Sequence, residues 1–230
     1  MYNLIPPLLR KKSKLQGCIV VIGNETHSLS QLFVDQAHNR AMPVYQVQHD
    51  PMQTNLKIEQ QDSGLKRVRL NLINPTALKN LVGYIQRTGH SIELCILQAD
   101  FSKSLSNSDA SAQQIEQLWQ NTGLAAVNIA QAIIRKMLIK SQGTLIFLGT
   151  QPNLIAENNG LTQSMFASIR ALAQSLAREF HPKGIHITYR QSEYRLRKEV
   201  IEAKINTLQD GLPLIAVDPA CKIINDGFLG

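Results

Sequence analysis

Few residues in this chain have the type and spacing for chemistry. Tyr194 and Lys198 stand four apart in Tyr194-Arg-Leu-Arg-Lys198, so a phenol and an ammonium could share one helix face. With five tyrosines in the chain, about 0.3 such matches are expected by chance, and a basic helix face is the plain reading. The run Gly23-Asn24-Glu25-Thr26-His27-Ser28-Leu29-Ser30 places small polar residues where they could cap a helix and donate hydrogen bonds. Thr150 and Thr162 offer hydroxyls, and Asn121 and Gln98 offer amides. Cys18, Cys95 and Cys221 are odd in number and far apart, which suits small core residues in a reducing compartment rather than a disulfide frame. The histidines show no HxxxH spacing and the cysteines no CxxC, so no metal site is expected.

The elements that must position these residues follow from composition and periodicity. The chain has 230 residues, 43% hydrophobic and 18% charged, which fits one globular domain. No apolar run approaches the ~20 residues needed to span a bilayer. Residues 1–14 hold a basic cluster beside a short apolar patch, the reverse of a signal peptide's order, and are expected to be a cytosolic leader. The expected location is therefore cytoplasmic. Net charge is +7, with clusters at Arg10–Lys14, Lys66–Arg69, Arg135–Lys140 and Arg190–Lys198. These are short and lack aromatic interleaving, so they read as a solvated basic surface rather than a nucleic-acid interface.

Strand and helix patterns alternate. Apolar runs predict strands at Gly17–Gly23, Met42–Gln48, Val68–Ile73, Glu93–Ala99, Gly143–Gly149 and Gly184–Arg190. Helical spacing predicts helices over His27–Ala41, Ala77–Thr88, about Ser111–Lys140 and Leu161–Phe180, with a further helix after the sixth strand. Asn74-Pro75-Thr76 supplies an N-cap and a first-turn proline for the second of these. The polar stretch His49–Gly64 predicts a loop or weak helix. Strands separated by helices imply a doubly wound parallel α/β sheet of about six to seven strands, Rossmann-like, in a single domain over residues 15–230. Its ligand crevice lies at the carboxyl ends of the strands.

Several stretches, in order, resemble the short-chain dehydrogenase/reductase family. Ser175–Ile187, SLAREFHPKGIHI, is similar to the end of that family's active-site helix and the turn into its sixth strand. LNLINPTALKNLV, IELCILQAD and GTLIFLGT resemble its third strand and following helix, its fourth strand, and its fifth strand. The resemblance runs from about Leu15 to Tyr189. It implies an NAD(P)-binding fold, hydride transfer to or from a carbonyl or alcohol, and a Ser–Tyr–Lys set with a helix asparagine. It also implies a homodimer or homotetramer formed through the two long helices.

The sequence departs from that pattern at the working positions. Family members carry TGxxxGxG after the first strand; here Gly23 is followed by Asn24, Ser28 and Ser30 at the three glycine positions, with Glu25 adding negative charge. Asp50 lies late for a ribose-binding acid. Leu97-Gln98-Ala99-Asp100 stands where the family has NNAG, with Asp100 replacing its glycine. YxxxK falls on Thr162-x-x-x-Phe166: a threonine is too weak an acid to stand in for the tyrosine, and a phenylalanine carries no charge. Phe166 is expected in or beside the pocket, capping it. Arg170 follows one turn later as a helix-surface cation. The serine position falls on Thr150, or on Gly149 without a gap, and the asparagine position on Thr122 with Asn121 beside it. Candidate catalytic residues are thus Thr150, Thr162 and Asn121, and candidate NAD(P) contacts are Gly23, Asn24, Ser28, Ser30 and Gln98. The ending VDPACKIINDGFLG resembles the start of the family's last helix.

The reading is a member of this fold with lost or much reduced NAD(P)-dependent oxidoreductase activity, serving as a scaffold, regulatory subunit or ligand sensor. The alternatives are a divergent active oxidoreductase using Thr150, and a basic nucleic-acid-binding module.

Overall fold

In the computed structural model the described residues are 15–23, 42–60, 65–98, 110–150 and 160–192. They form a seven-stranded sheet in the order β3-β4-β2-β1-β5-β6-β7. The strands are β1 (Gln16–Ile22), β2 (Val44–His49), β3 (Lys57–Gln60), β4 (Leu65–Leu70), β5 (His90–Gln98), β6 (Gly143–Thr150) and β7 (Ile185–Ser192). All pairings are parallel except β3 against β4. With β3 set aside, the order is that of a doubly wound dinucleotide-binding sheet, reversing between β1 and β5.

Alternation along β1 explains its central place. Cys18, Val20 and Ile22 enter one buried layer, and Ile19 and Val21 the other. A strand buried on both faces reads as a continuous apolar run. The first layer is covered by α1 (Pro75–Arg87), α3 (Ala125–Met137) and α4 (Gly160–Phe180). Helix α1 starts where Asn74 Oδ1 accepts from the Thr76 amide at 2.9 Å, and Pro75 fills a first-turn position that needs no donor. Its stripe Ala77, Leu78, Leu81, Val82 and Ile85 is buried. Each fully buried leucine or isoleucine there contributes ~1.5–3 kcal/mol.

Two expectations are corrected. The stretch His49–Gly64 contains an edge strand, β3, rather than only a loop or weak helix. It is four residues long with solvent on most of its side chains, so no apolar periodicity announces it. The expected helix Ser111–Lys140 is not continuous. It comprises α2 (Ala112–Trp119), a π-turn over Gln120–Leu124, and α3, which ends at Met137. The π-turn buries Thr122 and Gly123, and α3 beyond it buries Ala125, Ala126, Ile129, Ala130, Ile133, Ile134 and Met137 at ordinary helical spacing, so the periodicity does not announce the break. The segment Gly184–Arg190, expected as a sixth strand, is consequently the seventh. The leader at 1–14, the expected helices at 27–41 and after β7, the Tyr194–Lys198 pair, Cys221 and the chain ending lie outside the described residues.

A polar cluster closes the amino end of the sheet. The buried Tyr45 hydroxyl sits 2.8 Å from Thr88 Oγ1 and 2.7 Å from His90 Nδ1, and Lys66 Nζ donates to it at 3.3 Å. Burial pushes the Tyr45 phenol up to about 12. Burial, then the Lys66 charge, holds His90 below the usual histidine range. Burial lowers His49 and His186 too. A histidine kept neutral by the fold contributes its stability in full above the unfolded value of about 6.5, and that contribution falls away as pH drops below it toward the folded-state value. The melting temperature is therefore expected to fall between pH 7.5 and pH 5.5, and His90→Gln should make that slope shallower. A slope unchanged by His90→Gln would show that this cluster does not carry the effect.

Candidate functional site

The crevice of a doubly wound sheet opens at the carboxyl ends of the strands, where the strand order reverses. Here that point lies between Gly23, just beyond β1, and Gln98, the last residue of β5. The Gly23 amide donates to the Val47 carbonyl at 3.1 Å, so it continues the sheet ladder. A Cβ on Gly23 would stand 3.1 Å from Gln98 Cβ and 3.3 Å from Gln98 Oε1. The Gln98 side chain therefore lies close against the Gly23 backbone, and a larger residue at 23 would have to press it aside by a few tenths of an ångström. Gln98 is 5% exposed, and its Oε1 is buried with no hydrogen-bond partner among the described residues. Leaving such an acceptor unpaired costs ~1–3 kcal/mol.

One strand further, β6 ends Leu148-Gly149-Thr150 alongside Arg190-Gln191-Ser192 of β7. Tyr189 pairs with Phe147, and its hydroxyl occupies the space a Cβ on Gly149 would need. The two residues share the face toward α4. Burial raises the Tyr189 phenol, against a smaller downward pull from the Arg170 guanidinium. The phenol is therefore protonated at neutral pH.

The sequence-predicted residues are distributed as follows. Gly23 and Gln98 meet at the crevice floor. Thr150 ends β6, on the next strand. Thr162 lies in the first turn of α4. Asn121 lies half-buried in the π-turn, while neighbouring Thr122 is buried with its hydroxyl donating to the Leu118 carbonyl at 2.6 Å. That bond keeps the Thr122 hydroxyl within its own helix. Phe166 is 8% exposed and belongs to the buried layer with Phe147, Ile169 and Ala173. Asn24, Ser28 and Ser30 lie outside the described residues.

Sequence reasoning missed Tyr189. The alternation Ile185, Ile187, Tyr189 puts it on the inward face of β7, and the lone glycine at 149 signals a close approach. Both signals were present in the sequence, but only the sheet register joins them.

A diphosphate needs donors and open backbone; among the described residues the floor consists of a Gly23 amide already bonded to Val47 and the side-chain amide of Gln98, whose Oε1 is buried. Among the described residues no three histidine, cysteine or acidic side chains are grouped to hold a metal ion.

The sequence matches no protein-family model and no curated protein. Solved structures match it in fold. A Serratia marcescens short-chain dehydrogenase/reductase mutant aligns with TM-score 0.64 and 12% identity, over 85% of this chain and 90% of that one. A Leptospira borgpetersenii short-chain dehydrogenase with bound NAD+ aligns with TM-score 0.62 and 15% identity, over 82% and 76%. ElxO with NADP bound aligns with TM-score 0.60 and 13% identity, over 75% and 71%. The chain carries the short-chain dehydrogenase/reductase fold.

If the Tyr189 phenol fills the side-chain space at position 149, Gly149→Ser should lower stability by ~1–3 kcal/mol through overpacking. In a Tyr189→Ala background the same serine should cost less, giving a coupling above ~0.5 kcal/mol in denaturant unfolding. Additive costs would show that the two positions do not compete.

Proposed function

We propose that this chain has lost, or retains only in much reduced form, NAD(P)-dependent oxidoreductase activity, and that it acts as a scaffold, regulatory subunit or ligand sensor. The observation that carries this reading is the Tyr189 hydroxyl seated where a side chain at Gly149 would project. In the gap-free register that is the position of the family's serine. Phe166 in the core at the lysine position, Thr122 bonded back to Leu118, and Gln98 laid over Gly23 all support it. Each substitutes packing for a group that would touch substrate or cofactor.

Assembly and location belong to the same proposal. The chain forms a homodimer or homotetramer through α3 and α4; the exposed positions Ser164, Ala167, Ala171 and Ser175 on α4 are small enough for a second helix to approach closely. The protein is cytoplasmic, in keeping with the free, buried Cys18 and Cys95. Among the described residues no helix is long and apolar enough to cross a membrane.

Cofactor titration tests the reading. A dinucleotide present at 100 times its Kd would stabilise the fold by about 2.7 kcal/mol. In a domain of this size that raises the melting temperature by ~5–10 °C. Neither NADH nor NADPH at millimolar concentration is expected to shift the melting curve or to change Trp119 fluorescence. A shift of that size with either nucleotide, together with turnover of a carbonyl substrate, would overturn the proposal in favour of a divergent active enzyme.

A further inference from the structure

Strand alternation divides the basic cluster Lys66–Arg69. Lys66, Val68 and Leu70 turn toward the first layer, where Lys66 meets Tyr45 and the other two are buried. Arg67 and Arg69 turn to the opposite face. The register extends that face across three strands: Arg67 lies between Gln46 of β2 and Glu59 of β3, and Arg69 between Gln48 and Lys57. Gln46 is buried, so the open part of the face is its outer part, where Lys57, Glu59 and Arg69 are exposed and Arg67 is half-buried.

A parallel pair in a doubly wound sheet is ordinarily covered on both faces by crossover helices. The connection from β2 to β4 runs instead through β3, and its described residues 50–60 contain no helix. Helices α1, α3 and α4 lie on the other side of the sheet. No described helix therefore covers the face that Arg69 and Lys57 share. Lys57 Nζ pairs with Glu59 Oε1 at 3.0 Å. The hydrogen bond and charge of Lys57, and more weakly the charges of Arg69 and Arg67, hold the Glu59 carboxyl below the usual carboxylate range. Among the described residues, one carboxylate against three cations leaves the face positive.

We propose that this face docks an acidic segment of a partner protein, whose carboxylates enter the place that Glu59 now holds among Lys57, Arg67 and Arg69. Each arginine presents a planar fork that matches a carboxylate bidentately. Alternate residues of a strand stand ~7 Å apart, so Arg67 and Arg69 take separate carboxylates along a segment rather than one small anion. A single-stranded nucleic acid would need aromatic platforms for its bases, and this face has none. The face is opposite α3 and α4, so an oligomer formed through those helices does not cover it. The inference is also independent of whether the crevice between Gly23 and Gln98 binds a dinucleotide.

The test is fluorescence anisotropy of a labelled deca-glutamate peptide titrated with the full chain at low salt, beside a single-stranded DNA oligonucleotide and phosphatidylserine vesicles. The peptide is expected to bind with a Kd below about 1 mM. Arg69→Glu should weaken it about tenfold, whereas Lys79→Glu, the same kind of charge reversal at an exposed position of α1, should change it less than about twofold. Glu59→Gln removes the resident carboxylate and should tighten binding about threefold. Arg69 and Glu59 are exposed, so unchanged circular dichroism would confirm intact folding; if Arg69→Glu disturbs the pairing of β3 with β4, Arg69→Gln reads the same contact with a smaller loss. Absence of peptide binding would overturn the proposal. Equal losses in Arg69→Glu and Lys79→Glu would overturn it too, because net charge alone would then explain the binding, and so would a Glu59→Gln chain that binds no more tightly. Oligonucleotide or vesicle binding that is tighter than peptide binding and is weakened by Arg69→Glu would overturn it in favour of a nucleic-acid or membrane surface.

Discussion

The structure depends on the pairing of β1 with β5 inside a sheet buried on both faces. From Ile19 to Ile22 and from Leu94 to Leu97, successive side chains enter opposite layers, and every one is at most 1% exposed. Such strands have no solvated face, so both sides are covered, and the crossovers between parallel neighbours set the strand order. Everything at the carboxyl edge inherits its position from that pair. Gly23 and Gln98 are opposed because Ile22 and Leu97 are partners, and Gly149 is one strand away because Gln98 pairs with Leu148.

The same packing extends to the carboxyl edge of the sheet. In an open crevice, backbone and polar groups face a ligand; here a glutamine amide lies on the glycine, a phenol lies on Gly149, and a phenyl ring stands in the core at position 166. Large side chains turned inward at such positions can add contact area. The unpaired Gln98 carbonyl oxygen is the exception: it is a polar atom kept in a buried place without a described partner.

Much of this was legible before any coordinates. Asn74-Pro75-Thr76 marked the start of α1 to within two residues because capping is a local interaction. The central strands were legible because double-sided burial leaves an unbroken apolar run. The β3 strand was not, since Lys57, Glu59 and Gln60 are exposed and its existence is set by pairing with β4 rather than by its own pattern. The π-turn was not legible either, because the buried residues on both sides of it keep ordinary helical spacing. At the candidate site, residue identities gave the departures at Thr162 and Phe166, but not that the Tyr189 hydroxyl lies where a side chain on Gly149 would project. The approach of Tyr189 to Gly149 joins residues forty apart in sequence and exists only once β6 and β7 are in register.

The antiparallel β3 has a bearing on colloidal behaviour. A sheet margin is a template for intermolecular strand addition, the first step toward fibrils. The margin beside β4 consists of a four-residue strand whose Lys57 and Glu59 side chains form an ion pair at 3.0 Å. A strand that short offers few main-chain bonds to an incoming chain, and its charges would have to be desolvated or opposed by like charges on stacking. At that margin the short charged strand β3, rather than the longer strands behind it, is what an incoming chain would meet.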